Sequence, residues 1–135
     1  MSAEWRYLRA GMLAVAALLV AAVVGWRVHD AVHDEPTAFE LMTTCMRYEK
    51  QVELAETPDP IAGSAEQGAF RAVIETNGVT VSVAGSSEDA ARIAAAYRSV
   101  GGELGTRVEQ RGGTVYLWDR PPSPTQRQTL FDCTY

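Results

Sequence analysis

The sequence predicts an α+β domain carried behind an N-terminal transmembrane helix. Three observations lead there: an uncharged apolar run near the start, two short hairpin turns, and two stretches whose apolar residues recur with helical spacing. After the anchor the expected order is α-β-β-α-β-β-α. The expected packing is a four-stranded antiparallel sheet with the two main helices on one face.

The chain has 135 residues, 47% of them hydrophobic and 21% charged, so it can build one small core and is not a disordered chain. Its net charge of −5 argues against nucleic acid as a partner, which would require a basic face.

From Ala10 to Trp26 no residue is charged, and Leu8 and Val28 extend the run toward the ~20 residues that span a bilayer. Backbone groups in hydrocarbon must bond within their own segment, so the run is expected to be a helix. Trp5 and Trp26 stand 21 positions apart, roughly 31 Å along a helix, and would place an aromatic ring at each interface. Residues 10–28 are therefore assigned as the membrane helix, with the lipid bilayer as partner. Arg6 and Arg9 precede it, which puts 1–9 in the cytoplasm, 29–36 as a juxtamembrane linker, and 37–135 outside the cell membrane. The alternative is a signal peptide cleaved near Gly25, which would release a secreted soluble domain.

Residues 37–55 carry a stripe of Ala38, Leu41, Cys45, Tyr48 and Val52, the spacing of an amphipathic helix. Thr37 is the expected N-cap, with Glu40 completing a capping box, and Pro36 separates this helix from the anchor. Residues 57–68, with two prolines and two glycines, read as an exposed loop.

Residues 69–76 and 79–84 alternate around Asn77-Gly78, a strong hairpin turn. That turn pairs Ile74 with Val81 and Ala72 with Val83 on one face. It leaves Arg71, Val73, Glu75, Thr80 and Ser82 on the other. Ser86 caps a second helix whose apolar face is Ala90, Ile93, Ala94, Tyr97 and Val100, and Gly101 ends it.

A second hairpin, 106–111 with 114–119, turns at Gly112-Gly113. It pairs Val108 with Leu117 and Gln110 with Val115 on one face, and Arg107 with Trp118 and Glu109 with Tyr116 on the other. Ser123, Pro124 and Gln126 then form the N-cap, N1 and N3 of a short final helix carrying Leu130 and Cys133.

The two cysteines both follow the membrane run, so they are expected to form a disulfide, Cys45–Cys133, in an oxidising compartment. Two buried free thiols are the alternative. The bridge would enclose 87 residues and stabilise the fold by up to about 4–5 kcal/mol in the chain-entropy model.

No nucleophile elbow, phosphate loop or dinucleotide fingerprint occurs, and the only histidines, His29 and His33, precede the domain. Their string, HDAVH, resembles the zincin HExxH pattern over five residues, with Asp30 in place of glutamate and no third ligand in view. It supports a metal-dependent hydrolase only as a minor alternative. No catalytic residue, metal or cofactor is assigned. The surface singled out is the sheet face with Tyr116, Trp118 and Arg107, with Arg71 nearby, because aromatics beside arginine are what binding hot spots use. Either that face meets a protein partner in the envelope, or the C-terminal segment covers it. The reading that follows is a single-pass, non-catalytic binding or scaffolding protein of the cell envelope.

Overall fold

The computed structural model describes residues 12–25 and 35–135. The chain divides into two units, Met1–Glu35 and Pro36–Tyr135.

In the first unit, residues 12–25 form a helix, α1. Its large apolar side chains, from Met12 to Val24, are 56–72% exposed. Among the described residues no helix is long and apolar enough to cross a membrane. Positions 10, 11 and 26–28 of the expected span lie outside the described residues, as do Trp5, Arg6, Arg9, His29 and His33.

The second unit is a mixed α+β domain around one antiparallel sheet. Its helices are α2 (Ala38–Thr44, continuing as a wider turn through Cys45–Glu49), α3 (Ser87–Val100), α4 (Gly102–Thr106) and α5 (Pro124–Phe131). Its strands are β1 (Leu54–Ala55), β2 (Gly68–Ile74), β3 (Asn77–Val83), β4 (Val108–Arg111) and β5 (Thr114–Trp118), in the spatial order β1-β2-β3-β5-β4. The expected four strands become five.

The extra strand comes from the end of the first expected helix. Thr37 and Glu40 form the capping box as expected, with Thr37 N–H donating to Glu40 Oε2 at 2.8 Å. The helix then widens, and Lys50 N–H bonds back five residues to the Cys45 carbonyl at 3.1 Å. It stops at Gln51, whose φ is 55°, instead of running to residue 55. Val52 N–H caps the Met46 carbonyl at 2.9 Å, and Leu54 and Ala55 pair with Ala72 and Arg71. The buried stripe is Met42, Cys45 and Met46, while Leu41 lies at the surface and Tyr48 is 78% exposed. Two stripes share Cys45, and the one that carries the methionines, unbranched and adaptable, fills the core.

The segment expected as an exposed loop is partly packed. Asp59 Oδ1 accepts from Ile61 N–H at 2.9 Å and starts a tight turn over Ala62–Ser64, and Ala62 is fully buried.

The first hairpin turns at Glu75-Thr76, not at Asn77-Gly78. Ile74 pairs with Asn77, Ala72 with Val79 and Phe70 with Val81. Glu75 takes φ 57°. The pairing slips by an even number of residues, so every side chain keeps its expected face. Asn77 is spent on the C-terminal segment: its amide donates to the Arg120 carbonyl at 2.9 Å and accepts from Arg120 N–H at 3.2 Å. The second hairpin follows the expected register pair by pair, from Val108 with Leu117 to Arg111 with Thr114. Residues before Val108 form α4 instead of lengthening the strand.

The helices do not share one face of the sheet. On one side α2 and α5 cover Phe70, Ile74, Val81, Tyr116 and Trp118. On the other, α3 lays Ala90, Ile93, Ala94 and Tyr97 over Val108 and Val115, and its last apolar residue, Val100, points to solvent. β3 is buried at every position, Thr80 and Ser82 included. A central strand with small residues on its second face accepts cover on both sides, which is why its alternating pattern did not mark a solvent face.

The disulfide is present. Cys45 and Cys133 are bridged with Cα atoms 5.6 Å apart, and the bond ties α2 to the segment after α5. Ser123 and Gln126 form the expected capping box on α5, and Leu130 and Cys133 are fully buried.

Candidate binding surface

The aromatic and basic halves of the expected site separate. Strand alternation puts Tyr116 and Trp118 on the face under α2 and α5, and both are 0% exposed. The Tyr116 ring lies 5.7 Å from that of Phe131, and its hydroxyl hydrogen-bonds Thr134 Oγ1. Burial pushes its pKa up. Trp118 Nε1 has no hydrogen-bond partner among the described residues. The C-terminal segment is the cover, so these two rings offer no docking surface. The physical reason is the disulfide and Leu130, which hold that segment against the face.

The arginines lie together elsewhere. Arg71, on β2, sits directly opposite Thr80 and donates to its Oγ1 at 3.3 Å. It also forms a two-pronged pair with Asp119, just past β5. The pair lies over Gly78, where a Cβ would collide with both Asp119 Oδ2 and Arg71 Nη2. Arg107 reaches the same place by another route. Its Nη1 donates to the Asp119 carbonyl and its Nε to the Glu103 carbonyl at 3.3 Å. It makes no ion pair among the described residues. The hydrogen bond to Asp119 raises the Arg71 pKa further, so this guanidinium stays charged.

Arg71 also lines an open cleft of about 690 Å³ at the β1 end of the sheet, with Lys50, Glu53, Leu54, Val73 and Glu75. Val73 is 57% exposed there. Lys50 is held by Asp132 at 2.7 Å. The cleft sets one fixed guanidinium, Arg71, beside the carboxylates of Glu53 and Glu75 and the apolar side chains of Leu54 and Val73. Arg71 and Arg107, expected beside Tyr116 and Trp118, both bond Asp119 instead. Asp119 escaped the sequence reading, and Gly78 was read only as half of a hairpin turn; in the structure it lies inside β3, where a glycine marks close approach of another group.

Among the described residues no group of three or more His, Cys, Asp or Glu side chains could hold a metal ion. Comparison with protein-family models, curated proteins and solved structures finds no match to this chain.

Proposed function

We propose that this protein is a single-pass membrane-anchored module whose α+β domain sits outside the cell membrane and binds or scaffolds another envelope protein without catalysis of its own. The observation that carries the reading is α1: residues 12–25 present apolar side chains around the whole helix, 56–72% exposed, within a run that carries no charge. Such a helix is stable where its surroundings are apolar, as in a bilayer. The Cys45–Cys133 bridge supports an oxidising location. The cleft beside Arg71, Asp119 and Arg107 is the surface assigned to the partner.

The test is the state of the mature chain in cells. The reading expects a mature chain that retains residues 12–25 and is recovered in membranes after alkaline washing. A shorter chain in the soluble fraction would overturn the anchor. For the surface, a photo-crosslinker at Val73 should give a protein adduct in native membranes that Arg71→Glu removes. An adduct unchanged by Arg71→Glu would rule this cleft out.

A further inference from the structure

β4 stands at one end of the sheet and pairs only with β5 among the described residues. The two-residue turn makes Arg111 and Thr114 a hydrogen-bonded pair, and Trp118 N–H donates to the Arg107 carbonyl at 3.2 Å. Residues 107, 109 and 111 therefore spend their backbone groups on β5. Those of Val108 and Gln110 point away from the sheet, and neither has a backbone partner among the described residues. The opposite edge is blunted, because β1 is only two residues long. β4 has four residues in unbroken register, with no proline and no lysine to discourage pairing.

We infer that β4 pairs antiparallel with β4 of a second copy of this chain, about a two-fold axis through Gln110, joining two five-stranded sheets into one. In this register Gln110 exchanges N–H···O bonds with its counterpart. Glu109 then faces Arg111 of the second copy, and Arg111 faces its Glu109, at the closely spaced non-bonded positions where cross-strand side chains interact most. The neighbouring registers that keep outward backbone groups paired differ by two residues. One sets Glu109 against its own counterpart, and the other does the same to Arg111, so like charges oppose. Charge thus selects a single self-complementary register, as an isologous interface requires. Both side chains are already oriented: Arg127 Nε holds Glu109 at 2.7 Å, and Arg111 lies 4.6 Å over the Phe131 ring. The inference goes beyond the function proposed above and does not depend on membrane anchorage.

Light-scattering molar mass of the purified full chain tests it, in detergent where the chain partitions into membrane, with circular dichroism to verify folding of each variant. The wild type should have twice the monomer mass. Glu109→Arg sets arginine against arginine and should halve it. Glu109→Arg combined with Arg111→Glu restores opposite charges and should return the dimer. Gln110→Pro removes an outward N–H without touching the β4–β5 pairing, and should also give monomer, which decides the matter if Glu109→Arg does not fold. A monomeric wild type, a folded double variant that stays monomeric, or a Gln110→Pro variant that stays dimeric would each overturn the inference.

Discussion

At Trp118 one side chain separates two accounts of the sheet. Its ring is fully buried between β5 and the elements that the disulfide holds over it. Trp118→Ala should therefore cost about 3–5 kcal/mol of stability, the range for a large buried aromatic. An exposed ring would cost roughly 0.5 kcal/mol or less. Chemical denaturation of the domain-bearing chain measures the difference. The two buried tyrosines give a second prediction. Burial, first, raises the pKa of Tyr97, and its hydroxyl also donates to Asp59 at 2.7 Å; burial raises that of Tyr116 as well. Both phenols are thus held neutral in the folded state above the pH at which they ionise in the unfolded chain. The stabilisation is complete below about pH 10 and is lost as pH climbs from there toward the folded values. A pH series of melts should be flat in this respect below that point and fall above it, with tyrosinate absorbance from these two rings appearing only as the chain unfolds.

At the scale of elements, local chemistry was legible wherever one signal decided the outcome. The caps at Thr37, Ser86 and Ser123 formed as their spacing implied, and Gly112-Gly113 set its hairpin to the residue. The first hairpin shows the limit. Asn77-Gly78 satisfies a turn, but Asn77 is worth more where its amide meets the Arg120 backbone, and Gly78 where the Arg71–Asp119 pair must lie flat on the sheet. Arg120 and Asp119 are more than forty positions away and cannot be read from alternation. The end of α2 failed for a related reason: neither glycine nor proline marks Gln51, and the stop is made by Val52 and Leu54 joining a core assembled from distant strands. The candidate surface was half legible, since strand parity located Tyr116 and Trp118 on one face but could not say that the C-terminal segment would close over them. The disulfide makes that closure testable. It joins residues 88 apart in sequence and fastens α2 to the cover. Replacing Cys45 and Cys133 by serine should lower stability by about 2–5 kcal/mol. It should also raise Trp118 emission from solvent-exposed states at denaturant concentrations where the bridged chain is still native. Equal midpoints for the bridged and serine forms would mean that the cover holds without the bond.

For the whole molecule, composition and patterning divided the labour sensibly: one uncharged apolar run, then a domain with nine basic and thirteen acidic residues that folds around a single sheet. A helix that exposes apolar side chains on every side and a disulfide-tied domain are the two observations behind the proposed anchor and outward-facing module. Because both native cysteines are bridged, a single introduced thiol reports the side of the membrane without background. Ala95 lies on the exposed face of α3, away from the buried Ile93, Ala94 and Tyr97. The most direct test is therefore labelling of Ala95→Cys in intact cells with a membrane-impermeant maleimide. The account predicts full labelling before lysis, on a chain that sediments with the membrane. Labelling that appears only after the membrane is breached would place the domain inside and contradict it.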